Sequence, residues 1–152
     1  MLSKGDKAPD FTVETTQGTF TLSEASDPVV LFFFPKAGSR VCTKEACSFR
    51  DTLSEFTGHE ATVVGISTND SLERLHEFAE EHGLDYPLIS DTDEDGELSE
   101  RYGLSGLLGL SQKAKRATFV VNDGEVVEVV KGLLSSDKHV KESLEAVNRV
   151  TG

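Results

Sequence analysis

The sequence predicts an α/β fold in which helices cover the faces of a central mixed β-sheet. The first observation is a continuous apolar run, "PVVLFFFP", and the second is a similar run, "ATVVGIS", farther along the chain. Such runs are typical of strands that are buried on both faces. The third observation is that segments with helical periodicity separate the predicted strands, in the order β-β-β-α-β-α-β-α-β-β-α. This alternation indicates a mixed sheet flanked by helices.

The first half of the chain begins with a predicted β-hairpin, which extends the fold at its N-terminus. The predicted elements are a hairpin at 11–22 with its turn at Gln17 and Gly18, a buried strand at 29–34, a loop at 36–40, a helix from about Val41 to Phe56, and a buried strand at 61–67. β-rich runs around a glycine-containing turn are the basis for the hairpin.

The second half continues the same alternation. The predicted elements are a helix at 71–83, a short edge strand at 86–90, a short helix at 94–103, a hairpin at 117–132 with an Asn-Asp-Gly turn, and a terminal helix at 135–150. An Asn-Asp-Gly sequence suits a tight hairpin turn. The terminal helix has an apolar stripe at Val140, Leu144 and Val147, which indicates packing on the sheet.

Capping residues refine the ends of two helices. Asn69 or Asp70 is a predicted N-cap of the helix at 71–83, and Gly83 is its predicted terminator. Ser135 or Ser136 is the predicted cap of the terminal helix.

Size and charge limit the classes of function. With 152 residues, the chain is expected to form one domain over 1–152. A net charge of −12 argues against binding to nucleic acid or to anionic membrane surfaces. The sequence has no apolar run of membrane-spanning length, and its beginning lacks the apolar core of a signal peptide, which predicts a cytoplasmic protein.

The chain has two cysteines, Cys42 and Cys47, and both lie in the predicted helix that follows the first buried strand. Cys42 falls in its first turn, where unpaired N–H groups and the helix dipole favour a thiolate over a thiol. Arg40 adds positive charge if its side chain turns inward. The Ser39 hydroxyl can accept a hydrogen bond from a helix N–H group or contact a bound oxygen atom. This is the local chemistry of a nucleophilic cysteine.

The spacing of the two cysteines constrains their chemistry. Residues five apart on an intact helix have Cα atoms roughly 8.7 Å apart, whereas a disulfide needs less than about 7 Å. If Cys42 and Cys47 form a redox pair, the first turns of the helix must therefore unwind.

Other uses of the cysteines remain open at this point. Free cysteine often serves as a small buried apolar residue. A metal site is disfavoured, because two cysteines at this spacing and four histidines outside any short motif do not match zinc-binding patterns. The C-x4-C spacing also differs from the C-x-x-C motif of thiol-disulfide reductases.

The segment "FFFPKAGSRVCTKEACSFRD" resembles the active-site segment of the peroxiredoxins. The family pattern of Pro, three residues, Thr or Ser, two residues and Cys is present as Pro35, Ser39 and Cys42. The "CT-x-E-A-C-x-F-R-D" sequence is similar to the branch called bacterioferritin comigratory protein or peroxiredoxin Q. The resemblance covers nearly the whole chain, from "GDKAPDFTVETTQG" to "RATFVVNDG", where Arg116 matches the active-site arginine of the family.

The resemblance implies a thioredoxin-like fold and a cysteine-dependent peroxidase. Cys42 is then the peroxidatic cysteine, which attacks the peroxide and becomes a sulfenic acid. Cys47 is the resolving cysteine, which condenses with that acid to an intramolecular disulfide. Thioredoxin or a similar dithiol then reduces the disulfide by exchange.

The resemblance also assigns the groups around the reactive thiol. Ser39, Arg116 and the N–H groups near Val41 and Cys42 hold the peroxide oxygens and stabilise their developing charge. Pro35 shields the pocket. A further expectation is that Glu45 belongs to the charge network that orients Arg116.

The resemblance implies a short list of partners. They are hydrogen peroxide or an organic hydroperoxide as substrate and a thioredoxin-like reductant, with no cofactor or metal, in a monomer or a homodimer. Alternatives are a one-cysteine peroxidase resolved by an external thiol, a redox-sensing module that oxidises a partner, and a thiol-disulfide reductase.

Two features set the chain apart within the branch. The common Thr-Pro-Gly-Cys is replaced by Ser39-Arg40-Val41-Cys42, which affects the pocket mouth and substrate preference, and Arg40 is expected to be exposed. The leucine-rich segment at 103–115 either packs under the sheet or forms an exposed patch for a dimer contact or reductant docking.

Overall fold

The fold is built around a five-stranded mixed sheet, as the apolar runs predict. The computed structural model describes residues 1–104, 116–132 and 136–151. The strands are β1 (Thr12–Thr15), β2 (Gly18–Thr21), β3 (Val29–Phe34), β4 (Thr62–Ser67), β5 (Leu88–Ser90), β6 (Ala117–Asn122) and β7 (Glu125–Lys131). The helices are α1 (Arg40–Gly58), α2 (Leu72–His82), α3 (Glu97–Arg101) and α4 (Ser136–Thr151), with a 3-10 turn at Leu22–Glu24. The predicted order of elements is confirmed.

The sheet has the strand order β5-β4-β3-β6-β7, with β3 in the middle. Strands β3, β4 and β5 run parallel, whereas β6 is antiparallel to β3 and to β7. Strands β1 and β2 form a separate antiparallel hairpin, which confirms the predicted N-terminal extension.

The central strand β3 divides the core into two layers, because successive side chains of a strand point to opposite faces. Its six residues are all fully buried. Val30, Phe32 and Phe34 pack with side chains of α1, α2 and α4. Val29, Leu31 and Phe33 pack against the N-terminal segment and the region of α3. The continuous apolar run is therefore explained by burial on both faces.

Strand pairing brings distant parts of the chain to one edge of the sheet. β6 pairs with β3 in antiparallel register, and Ala117 lies opposite Phe33. The residue before β6, Arg116, therefore lies near the end of β3, where the chain continues into the loop before α1. This register positions the candidate site.

Two local predictions about turns and caps are wrong. The hairpin turn lies at Thr16 and Gln17, because β2 already begins at Gly18. The N-cap of α2 is Ser71, whose Oγ accepts a hydrogen bond from the N–H of Arg74 at 3.2 Å. The Gly83 terminator is confirmed and adopts a left-handed conformation, with φ of 60°.

The cap of α2 is not Asn69 or Asp70, because both side chains turn towards the loop after β3. Asn69 donates to the carbonyl of Pro35, and Asp70 accepts from the N–H of Ala37. These contacts direct both side chains to the loop, and Ser71 makes the capping bond instead.

The ends of α1 and α4 also differ slightly from prediction. α1 begins one residue before Val41 and ends two residues after Phe56. α4 begins at Ser136, which is therefore the first helical residue and not a cap, and Ser135 lies outside the described residues. The apolar stripe of α4 packs against the core as predicted.

The leucine-rich segment at 103–115 is described only at its first two residues. Leu104 is buried in the layer that contains α3, and the rest of the segment lies outside the described residues. None of the helices in the described ranges has the length and apolar character that crossing a bilayer requires.

Candidate active site

Cys42 lies in the first turn of α1, directly after the buried central strand and its loop. Its side chain is 1% exposed. Ser39 occupies the N-cap position, but its hydroxyl donates to the carbonyl of Lys36 at 2.9 Å and makes no bond to a helix N–H group. The first of its two predicted uses is therefore not observed. The hydroxyl oxygen retains acceptor capacity for a bound group.

Arg116 joins the reactive region to a buried carboxylate. Its Nη2 atom donates to Cys42 Sγ at 2.8 Å, and its Nη1 atom donates to Glu45 Oε1 at 2.7 Å. Arg116 is 6% exposed. Burial alone lowers the pKa of Arg116, but the negative partners Glu45 and Cys42 raise it, and the net direction is upward. The guanidinium therefore remains a cation beside the thiol.

Glu45 lies one helical turn after Cys42 on the buried face of α1. The expected ion pair between Glu45 and Arg116 is present. Burial raises the pKa of the Glu45 carboxyl to about 7, and the Arg116 cation opposes that rise. The carboxyl therefore changes protonation near neutral pH.

His139, on α4, lies behind this ion pair and was not singled out from the sequence. Its Nδ1 atom lies 3.7 Å from Glu45 Oε2 and 2.7 Å from the Thr118 hydroxyl, and its Nε2 atom lies 2.9 Å from the carbonyl of Gly132. Burial lowers the pKa of His139. A sequence signal existed, because His139 lies four and eight residues before Ser143 and Val147, on one buried helical face.

The loop between β3 and α1 is fixed to the junction of β4 and α2. Asn69 Nδ2 donates to the carbonyl of Pro35 at 2.8 Å, and the Ala37 N–H donates to Asp70 Oδ2 at 2.6 Å. The Lys36 ammonium lies 3.3 Å from Asp70 Oδ1. These contacts hold the backbone that precedes Cys42, and nothing in the sequence pattern indicated them.

An open cavity of about 550 Å³ lies over this loop, lined by Pro35, Lys36, Ser39 and Asn69. Pro35 is half-buried at its edge. Cys42 is not among the described residues that line this cavity. The cavity offers space for a small polar substrate next to the Ser39 hydroxyl.

Two residues of the first helical turn differ in exposure. Arg40 is exposed, as expected, and Val41 is half-buried. The structure thus places Arg116 beside Cys42, with Ser39 and Val41 just before Cys42 in the chain, and leaves the Arg40 side chain in solvent.

Cys47 is half-buried, and both cysteines carry free thiols on a continuous α1. The helix around Cys47 is anchored from outside. The hydroxyl of Tyr86 donates to the carbonyl of Ala46 at 2.6 Å, and Arg50 Nη1 donates to the carbonyl of His82 at 2.7 Å. Because the helix is intact, the two thiols cannot bond in this conformation.

Comparison with known proteins then assigns the family. Residues 4–130 match the model of the AhpC/TSA family. The chain belongs to the AhpC/TSA family. It is a peroxiredoxin, an enzyme of the thiol peroxidase class.

Three relatives illustrate the match. Chloroplastic peroxiredoxin Q of Sedum lineare is 35% identical over 94% of this chain and 76% of its own length. The crystal structure of peroxidoxin BcpB from Mycobacterium tuberculosis is 37% identical, with a TM-score of 0.89 and full coverage of both chains. A bacterioferritin comigratory protein of Xanthomonas campestris, studied for alkyl peroxide reduction, is 26% identical, with a TM-score of 0.81, covering 93% of this chain and 92% of its own.

These relatives confirm two predictions. The resemblance to the bacterioferritin comigratory protein and peroxiredoxin Q branch is confirmed by their names and identities. The thioredoxin-like fold, with a mixed sheet, flanking helices and an N-terminal hairpin, is confirmed by the structural match.

Proposed function

We propose that this peroxiredoxin reduces hydrogen peroxide and organic hydroperoxides at Cys42 and regenerates the thiol through Cys47. The observation that carries the proposal is the buried contact of 2.8 Å between Arg116 Nη2 and Cys42 Sγ at the start of α1. A cation and unpaired helix N–H groups beside a thiol stabilise the thiolate, which is the nucleophile. The alkyl peroxide activity of the Xanthomonas campestris relative supports an organic substrate class.

In the first step, the Cys42 thiolate attacks the terminal oxygen of the peroxide. The S–O bond forms as the O–O bond breaks, and the departing alkoxide takes one proton to leave as an alcohol, or as water when the substrate is hydrogen peroxide. Cys42 becomes a sulfenic acid. Arg116 and the Ser39 hydroxyl contact the peroxide oxygens and stabilise their developing charge, together with the N–H groups near Val41.

In the second step, the Cys47 thiolate attacks the sulfur of the sulfenic acid. The S–S bond forms, and the sulfenic oxygen leaves as hydroxide, which takes up a proton to become water. A thioredoxin-like dithiol then reduces the disulfide through a mixed disulfide and is itself oxidised. Because this cycle needs a reducing supply of thiols, a cytoplasmic location is part of the proposal.

The test is peroxide consumption with a thioredoxin system, comparing the native chain with Cys42→Ser. We expect the variant to lose turnover, because a serine hydroxyl is not ionised at neutral pH. A Cys42→Ser variant that consumes peroxide at the native rate would contradict the proposal. The exposed residue Ser54 supplies a matched control, since Ser54→Cys adds a thiol away from the site.

A one-cysteine cycle is the second candidate, and the intact α1 that separates the two thiols favours it. Cys47→Ser distinguishes the two cycles. Loss of thioredoxin-linked turnover, with the first oxidation of Cys42 preserved, supports the intramolecular disulfide. Unchanged turnover supports resolution by an external thiol.

A further inference from the structure

A buried histidine lies behind the active-site guanidinium, in a place that the proposed cycle does not use. His139 Nδ1 lies 3.7 Å from Glu45 Oε2, at the far end of a row of side chains that leads to the reactive thiol. We propose that His139 is a positioning residue that holds one proton jointly with Glu45 and thereby keeps the Arg116 guanidinium directed at that thiol. The inference rests on the proposed role of Cys42 as the peroxide-reactive residue.

The hydrogen bonds of the ring define its neutral form. The carbonyl of Gly132 can only accept, so the Nε2 atom of His139, 2.9 Å away, carries a hydrogen. In the neutral ring, Nδ1 then carries none and accepts from the Thr118 hydroxyl at 2.7 Å. His139 in this form has no hydrogen to donate to Glu45.

Glu45 therefore presents a buried oxygen that lacks a donor. Its Oε1 atom accepts from Arg116, but within residues 1–104, 116–132 and 136–151 its Oε2 atom has no hydrogen-bond partner. A buried, unpaired carboxylate oxygen is unfavourable. One proton lowers that cost, either on Oε2, where it neutralises the carboxyl, or on Nδ1 of His139, where it places a cation 3.7 Å from Oε2. The Thr118 hydroxyl can turn to suit either position.

The charge balance of the site points to the same single proton. A Cys42 thiolate, a Glu45 carboxylate and the Arg116 cation together carry one net negative charge in a buried place, which is costly. A proton on the Glu45–His139 pair makes this group neutral. When Cys42 becomes an uncharged sulfenic acid, the charges of Arg116 and Glu45 cancel, and the proton on the Glu45–His139 pair is no longer needed.

The pKa directions agree with this geometry. Burial raises the pKa of Glu45 to about 7 and lowers that of His139, so the proton is on the carboxyl side at mildly acid pH. The charged and titratable groups facing the pair are Cys42 on α1, Tyr86 before β5, Arg116 before β6 and Lys138 on α4.

The experiment compares His139→Leu and His139→Asn in the full chain. The measurement is the second-order rate constant for Cys42 oxidation by hydrogen peroxide, followed by stopped flow between about pH 5.5 and 8.5. We expect His139→Leu to lower it about tenfold, the lower end of what groups that orient a functional side chain contribute. The Asn amide occupies the Nδ1 position but does not titrate, so it should restore most of the rate and flatten the pH profile. The matched control is His76→Asn, on the exposed face of α2.

Native rates and pH profiles in both variants would overturn the proposal, and so would equal losses in both, because ring volume alone would then explain them. If His139→Leu does not fold, the ring ¹⁵N spectrum of the native chain tests the proposal, because it reports which nitrogen of each imidazole carries a hydrogen. We expect the Nε2 atom of His139, which faces the carbonyl of Gly132, to keep its hydrogen over this pH range. A spectrum that places the hydrogen of the neutral ring on Nδ1 would overturn the proposal. A native chain that does not consume peroxide would instead contradict the proposed function.

Discussion

At the residue scale, the guanidinium of Arg116 donates to two different groups through its two Nη atoms. One Nη atom contacts Cys42 Sγ at 2.8 Å and the other contacts Glu45 Oε1 at 2.7 Å. A guanidinium can make both contacts at once because its donors lie in a fixed plane, whereas an ammonium is a single point of charge. The orientation of the cation, as well as its charge, therefore matters to the thiol.

Arg116→Lys should consequently lower the rate constant for Cys42 oxidation about 100-fold, as expected when one preorganised donor is lost at a developing charge. Stopped-flow oxidation by hydrogen peroxide measures this. Arg101→Lys is the control, because Arg101 is an exposed residue of α3 whose ion pair with Glu97 is far from the chemistry. If the rate constant for Cys42 oxidation in Arg116→Lys is within about threefold of the native value, the positive charge alone is sufficient.

At the element scale, α1 holds both thiols and has different supports along its length. From Ala46 onward, the contacts that Tyr86 makes with Ala46 and that Arg50 makes with His82 fix the helix to neighbouring segments. Before Ala46, the helix begins at Arg40 with no side-chain cap bond from Ser39. Unwinding during the cycle should therefore be limited to the turns before Ala46.

One equivalent of peroxide should accordingly lower the helical signal by about two turns of α1. Hydrogen exchange should rise in 40–46 and stay slow beyond it, and far-ultraviolet circular dichroism gives the helix content. The control is Cys47→Ser, which cannot form the disulfide and should keep its helix. A disulfide formed without loss of helix would show that another part of the molecule moves.

The loop before α1 depends on Asp70, whose carboxylate accepts from the Ala37 N–H and the Ser67 hydroxyl, both at 2.6 Å. Asp70→Asn should lower the free energy of unfolding by about 2 kcal/mol, the usual contribution of buried bonds to a charged group. It should also slow Cys42 oxidation, because the loop that precedes the thiol is less fixed. Chemical denaturation and stopped flow measure the two effects.

Asp93→Asn is the matched control for Asp70→Asn. Asp93 also lies beside the start of α2, where it accepts from the N–H of Leu72 at 3.0 Å, but it is exposed. Equal effects of the two substitutions on Cys42 oxidation would mean that the junction acts through general stability and not through the loop.

At the scale of the whole molecule, the buried pair of Glu45 on α1 and His139 on α4 affects how the free energy of unfolding depends on pH. Near pH 5.5 the unfolded chain protonates the histidine, whose ordinary pKa is 6.5, and not the carboxyl, whose ordinary pKa is 4.5. The folded chain does the reverse, because burial raises the pKa of Glu45 to about 7 and lowers that of His139. Both states then hold one proton on this pair, so the pair adds almost nothing to the change of the free energy of unfolding with pH.

Removing either partner should make the free energy of unfolding change with pH, in a direction that depends on which partner remains. In His139→Gln only the Glu45 carboxyl remains, and it binds more protons in the folded than in the unfolded state, so its contribution to the free energy of unfolding falls as pH rises from about 4.5 to about 7. In Glu45→Gln only His139 remains, and it binds more protons in the unfolded state, so its contribution is present above about pH 6.5 and is lost as pH falls below it. Denaturation midpoints measured across this range check both signs. If the midpoints of both variants change with pH in parallel with those of the native chain, the assigned pKa directions of Glu45 and His139 are wrong.

The sequence alone predicted the elements and one side of the site. Buried strands and helices follow from the local spacing of apolar residues, which is why β3, β4 and α4 were found. Pro35, Ser39 and Cys42 lie in one short segment, so their pattern was visible in the chain. Arg116 was assigned only through resemblance, because an arginine before a strand carries no local signal of its role.

The tertiary structure decided what lies opposite that segment. The register of β6 on β3 brings Arg116 to a thiol 74 residues away, and the packing of α4 places His139 behind Glu45. Asp70 was predicted as a helix cap, yet it binds the loop 33 residues before it. Local periodicity specifies which face of an element is buried, but not which neighbour covers it. Only the strand register and the packing of helices determine that choice.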